Sequence, residues 1–263
     1  MSHFLRLYKT FIAQYFKRLL EYRIDFLTGA FSFLFDQVTS LVFIFIIFSQ
    51  IPTLSGYPFE AIVFIYGFSL IPKGLDHFFT DNLWKVAYFM VRRGDFDRYL
   101  TKPIHPLLHV IMETWQIDAL GELLIGMSLV IYSSSQGIIQ WIWTDIILLP
   151  LTLIMASLIY TSIKMMVSAI ALWTKRSGSI LQMVYSTNEF AKYPIAIYHR
   201  IIQFTITYVI PFAFTSYFPA RYFMTRENPW VNLGGLYGIA LIFTLFGVYL
   251  WQAGLKVYES AGS

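Results

Sequence analysis

The chain has 263 residues, of which 57% are hydrophobic, 19% aromatic and only 13% charged, with a mean hydropathy of +0.60. So much apolar surface exceeds what a soluble globule of this length can bury, which excludes a soluble enzyme or binding domain and predicts an all-α polytopic membrane protein. The net charge of +4 is carried by residues that stand beside apolar segments rather than in one patch, so it reads as a topology signal and argues against a nucleic acid partner; the absence of cysteine excludes disulfides and thiolate-bound metal.

Residues 1–23 do not read as a secretory signal, because Arg6, Lys9, Lys17 and Arg18 interrupt them throughout. Phe4, Tyr8, Phe11, Ile12, Tyr15, Phe16 and Leu19 recur at three- and four-residue steps opposite Arg6, Thr10, Gln14, Lys17 and Glu21. That pattern predicts an amphipathic helix lying in the interface of the lipid bilayer. The remainder, 24–263, is expected to form a single transmembrane domain.

The first span is predicted at 24–49, long enough at about 1.5 Å per residue to cross a hydrocarbon core of about 30 Å. An uncharged turn follows, and Pro58 suits the first turn of a second span ending near Phe79. A third span is expected at 107–132, a fourth at 143–173, a less apolar fifth at 180–197 and a last at 231–257. The segment 198–226 is apolar but divided by Pro211 and Pro219. It is either a seventh crossing or a re-entrant pair of half-helices. The latter is preferred, because broken helices persist at membrane depth where protein buries them, and it makes six transmembrane helices. With the N-terminus inside, most of the 19 Lys and Arg residues fall on the inner side, which places both termini in the cytosol.

Between the second and third spans lies a charged loop, 84–106, whose centre reads Arg92-Arg93-Gly94-Asp95-Phe96-Asp97-Arg98-Tyr99-Leu100-Thr101-Lys102-Pro103. Arg92 and Arg93 suit the last turn of a helix that Gly94 stops. Asp95 is placed to cap a very short helix over 96–100, which Pro103 ends. Phe96, Tyr99 and Leu100 would form its apolar side, with Asp97 and Arg98 facing outward. The loop reads either as a structured docking element or as the ordinary basic loop of a membrane protein.

Asp36, Asp118, Glu122, Lys164, Asn188 and Glu189 fall inside predicted spans, where a charge needs a partner or water. Asp118 and Glu122, four apart, share one face of the third span, and Lys164 is a plausible counter-ion. Asp36, Asp118, Glu122, Lys164 and Glu189 form a candidate translocation path for a cationic or amphiphilic solute; helix-to-helix pairing is the competing reading. His105 and His109 have ligand-like spacing without an evident third ligand. Gly234 and Gly238 offer a close helix contact or simple packing.

Taken together, the N-terminal amphipathic helix, the 93–104 stretch, Tyr193-Pro194-Ile195, Ile210-Pro211-Phe212 and Pro219-Ala220-Arg221 resemble the permease subunits of ABC-2 type ABC transporters. In particular they resemble the branch with paired permeases and a separate ATPase. The resemblance implies an exporter in the bacterial cytoplasmic membrane and a dimer with a second copy or a paralogue. ATPase subunits would bind ATP and Mg, so this chain would need no cofactor of its own. It also implies ATPase coupling through Arg92, Arg93, Asp95, Phe96, Asp97, Arg98 and Tyr99, and amphiphilic, drug-like or lipid-like cargo. The chain has no Gly-x-x-x-x-Gly-Lys-Ser/Thr sequence, in keeping with a non-enzymatic transport subunit. An ion- or proton-coupled carrier working through Asp118, Glu122 and Lys164 is the alternative, and a membrane-embedded lipid enzyme ranks last.

Overall fold

A computed structural model describes residues 23–260, among which every regular element is helical apart from one isolated bridge between Leu54 and Tyr57. The amphipathic helix expected over 1–23 therefore lies outside the described residues except for Arg23. Helix α1 (Arg23–Gln50) follows the first predicted span closely. It is held to the body where the Tyr66 hydroxyl donates to Gln37 at 2.5 Å and where Ile44 is fully buried. The chain then reverses in a turn closed by reciprocal backbone bonds of 2.9 and 3.0 Å between Leu54 and Tyr57.

Pro58 stands just before α2 (Phe59–Thr80), where its missing N–H leaves no helix bond unmade. Every residue of α2 from Ala61 to Pro72 is buried, as befits a helix with neighbours on all sides. After Thr80 the chain continues through a short turn, Leu83–Lys85, and a π-helical stretch, Val86–Met90. Next come the four-residue α3 (Asp97–Leu100), α4 (Pro106–Glu113), a 3-10 turn at Ile117–Ala119 and α5 (Leu120–Ser135).

The third span is thus not continuous from 107 to 132. Thr114 is extended at φ −141°, Trp115 turns inward to stack on Phe78 with ring centroids 6.0 Å apart, and the Gln116 N–H bonds to the Phe78 carbonyl at 3.3 Å. Helix α6 (Asp145–Thr174) agrees with the fourth span and ends at Lys175, which adopts φ +65°. The fifth span is shorter than expected. α7 (Gly178–Ser186) passes into a 3-10 stretch, Thr187–Lys192, and Tyr193 is extended because it precedes Pro194.

The segment 200–225 is broken. α8 (Arg200–Phe204) runs into a π-helical stretch at Thr205–Val209, Pro211 interrupts it, and Phe212–Thr215 leads to α9 (Tyr217–Thr225). None of these pieces is long enough to cross a core of about 30 Å by itself. The π-helical Trp230–Gly234 and α10 (Gly235–Val257) complete the described fold.

Among the described residues, three helical runs are long and apolar enough to cross a membrane: Ile117–Ser135, Asp145–Thr174 and Trp230–Val257. Glycines let the helices approach. A Cβ on Gly126 would lie 2.9 Å from the Gly67 carbonyl oxygen, which brings α2 and α5 into backbone contact; one on Gly247 would meet Met165 of α6 at 2.6 Å, and one on Gly254 would meet Leu172 at 2.7 Å. Gly234 and Gly238 do not serve this purpose. No side chain of another helix lies within 4 Å of a Cβ at either position, because they open the helix on a different face from Gly247 and Gly254.

Candidate functional site

The Arg92–Lys102 stretch lies at the basic end of the bundle, where Lys85 lines a cavity with Asp95 and Arg98, the chain after Lys175 and Arg176 bonds back to Ala87, and Phe96 meets Trp251 and Tyr258 on either side of Lys256. Its turn is built by Gly94 at φ +77°, by a bond from the Gly94 N–H to the Val91 carbonyl at 3.2 Å, and by one from the Phe96 N–H to the Met90 carbonyl at 3.2 Å. Arg93 is exposed, with its guanidinium 4.9 Å from the centre of the Phe89 ring. Asp95 is also exposed and does not cap α3: the N-cap position belongs to Phe96, whose side chain cannot accept a bond. The helix accordingly starts at Asp97, one residue later than the sequence suggests.

Phe96 and Tyr99 are fully buried, whereas Leu100 is 44% exposed. Four residues make only one turn, too short to hide a third apolar side chain on the same face. The Phe96 ring meets Trp251 of α10 and Tyr258 just beyond it, with centroids 6.0 and 5.2 Å away. Asp97 does not simply face outward, since its carboxylate accepts from the Tyr258 hydroxyl at 2.7 Å and from the Ser260 hydroxyl. Those two bonds hold the Asp97 carboxyl below its ordinary value, Ser260 contributing the larger part.

A second attachment joins the other side of α3 to α4. Arg98 pairs with Glu113 at 2.9 Å and donates to the Tyr99 oxygen at 2.8 Å, the Tyr99 hydroxyl donates to Glu113, and the Tyr99 ring packs edge-on to His109 at 4.8 Å. Burial, then the bond to Glu113, pushes the Tyr99 phenol up to about 12, so it remains a neutral donor at physiological pH. The helix is therefore fastened to α10 on one side and to α4 on the other. Its remaining face shows Arg92, Arg93, Asp95, Arg98, Leu100 and Lys102 to the surroundings.

Deeper in the bundle is a buried charge network. Lys164 of α6 lies 2.9 Å from Asp76 and 3.1 Å from Asp81. Asp76 also accepts from Thr80 at 2.6 Å, Thr161 at 2.8 Å and Tyr185 at 2.9 Å. Glu122 is held 3.1 Å from both Lys73 and His77. Lys164 is therefore not the counter-ion of Asp118 and Glu122. Asp76, near the end of α2, and Asp81, just after it, take it, and α2 supplies its own cation and imidazole to Glu122. Lys73, Asp76 and His77, at three- and four-residue steps inside an apolar helix, were the signal that could have found this cluster.

The remaining candidates are dispersed. Asp118 lines a cavity of about 240 Å³ with His77, Asp81 and Gln116, and makes no ion pair among the described residues. Glu189 pairs with Lys192 at 2.5 Å and borders a second cavity of about 410 Å³ with Lys73, His77, Trp84, Tyr185 and Asn188. Asn188 is buried and accepts from the Tyr160 hydroxyl at 2.5 Å. Asp36 is exposed on α1.

Residues 33–262 match the family described as ABC-2 family transporter protein. Neither a curated protein nor a solved structure matches the chain. The family match takes in the fastened helix at the basic end, the buried charge network and the broken segment before the last span, and on that ground this membrane protein belongs to the ABC-2 family of transporter proteins.

Proposed function

We propose that the chain is the membrane-spanning permease subunit of an ATP-binding cassette exporter, moving an amphiphilic solute across the bacterial cytoplasmic membrane with ATP hydrolysed by a partner subunit. In this reading the chain crosses six times, with the basic end and both termini in the cytosol. A second permease, identical or paralogous, completes the transport unit. The observation that carries this reading is α3, a one-turn helix pinned to α10 and α4 that leaves a basic face free. Such a face suits an acidic groove on an ATPase, and Arg92, Arg93, Asp95 and Arg98 make the contact while Phe96, Asp97 and Tyr99 pass movement inward.

Displacing α3 would pull on α10 through Phe96 and Trp251. α6 would follow, because Gly247 and Gly254 bring the two helices too close to slide freely. The second attachment would carry the same displacement to α4. Rigid elements moving between two packed arrangements give access to alternate sides of the membrane. Asp118 and Glu189, bordering cavities, belong to the solute path in this reading, with Asp36 on the α1 face toward lipid or the second permease. Glu122 and Lys164 instead hold helices together, which leaves Asp118 as the one residue of the ion-coupled alternative without an ion pair among the described residues.

The test reverses Asp97 and Arg98 together in the assembled complex. The protein should insert and still bring its ATPase through purification, while transport into inverted vesicles is lost and ATP hydrolysis continues. Unchanged transport, or an active purified complex without an ATP-hydrolysing subunit, would overturn the proposal.

A further inference from the structure

The segment just beyond α10 is engaged where a loose tail would be expected. Tyr258 lies edge-on to the fully buried Phe96, and its hydroxyl reaches Asp97 at 2.7 Å. Ser260 gives a second hydroxyl to the other oxygen of the same carboxylate. Both oxygens of Asp97 are thus taken by one three-residue segment, 161 and 163 positions away in sequence. The Tyr258 phenol is raised, by burial first and by Asp97 second, and so keeps the proton it donates.

We infer that Tyr258 and Ser260 are positioning residues that strap the one-turn helix to the last span, so that α3 and the end of α10 move as one body. This rests on the coupling reading above but adds a part to it: the segment after the final helix determines whether a displacement of α3 reaches α10. The edge-on contacts of Phe96 with Trp251 and Tyr258 pass on a push or pull but tolerate sliding, so by themselves they do not make α3 and α10 one body. Two hydroxyls on one carboxylate fix both the distance and the rotation. With water competing at Asp97, each hydroxyl bond favours the strapped arrangement by about twofold to threefold, so that the two together amount to about threefold to tenfold.

The absence of native cysteine allows a direct test. Leu100→Cys and Val257→Cys, both at exposed positions, would carry spin labels in the complete complex with its ATPase, in lipid vesicles. Dipolar broadening between the labels would be read without nucleotide and with a non-hydrolysable ATP analogue. With Tyr258 and Ser260 intact the broadening should be the same in both states. With Tyr258→Phe and Ser260→Ala combined, the strongly broadened fraction should fall about threefold to tenfold when the analogue binds.

Ser260→Thr, which keeps the hydroxyl, should restore close coupling in the Tyr258→Phe background. Thermal unfolding of each variant separates this effect from general loss of structure. A double variant whose broadening is unchanged by the analogue overturns the strap. So does a double variant that no longer binds the ATPase, since the segment would then belong to the docking face. Arg92→Glu with Arg93→Glu tests the docking reading separately: an intact complex there would refute docking whatever the labels report.

Discussion

Replacing Lys164 with methionine preserves the length of the side chain and removes its charge. In the native protein Lys164 and Asp76 both have fully buried side chains 2.9 Å apart, so the variant strands a carboxylate in the bundle. Removing one partner of a buried pair costs about 3–5 kcal/mol. The hydroxyls of Thr80, Thr161 and Tyr185 still donate to Asp76, which places the loss toward the lower figure. Asp81, whose side chain is 23% exposed and which also accepts from Gln116 at 3.3 Å, suffers less. Adding Asp76→Leu removes the stranded charge, so the double variant should recover more than half of the loss, a coupling of about 2 kcal/mol. The assay is unfolding of the detergent-purified protein followed by the fluorescence of its 7 tryptophans. A Lys164→Met variant within about 1 kcal/mol of wild type, or a double variant that loses the sum of the two single changes, would refute the reasoning.

Glycine substitutions should separate by position. Gly126→Ala places a methyl 2.8 Å from Ile71 Cγ1 and 2.9 Å from the Gly67 oxygen, and is expected to destabilise by about 1–3 kcal/mol in the same unfolding assay. Gly238→Ala meets no atom within 4 Å and should be neutral or stabilising by up to about 1 kcal/mol through helix propensity. The Asp97 clasp should depend on pH in one direction. Because its bonds to Ser260 and Tyr258 lower the folded-state pKa from 3.8, their contribution is complete above the ordinary carboxylate range and is lost as pH falls through the lowered value. Carboxyl carbon NMR shifts of labelled Asp97 should show a titration midpoint below 3.8 that moves upward in Ser260→Ala, whose bond is the larger cause.

The parts legible in the sequence are those set by local pattern. Helices α1, α6 and α10 follow continuous apolar runs, and Pro58 marks the start of α2 because its constraint is local. Gly94 and the burial of Phe96 and Tyr99 were readable for the same reason. The breaks in the third and fifth spans were not. Trp115 leaves the helix to stack on Phe78 and Asn188 turns to Tyr160, and both partners are distant in sequence. The error over Lys164 has the same origin. Asp118 and Glu122 are conspicuous in a long apolar run, while Asp76 lies in a helix whose other polar residues disguise it. Asp97 likewise looked like a surface charge, because nothing near it indicates that Tyr258 and Ser260 come back to meet it.

Helix α6 has 30 residues, about 45 Å of rise, against a hydrocarbon layer of about 30 Å. Leaning is one way for it to hide its apolar length, and α10, packed closely on it at Gly247 and Gly254, would then lean with it. Membrane thickness thereby becomes a variable that acts on both helices at once: a thinner bilayer lays the pair down, and a thicker one stands it up.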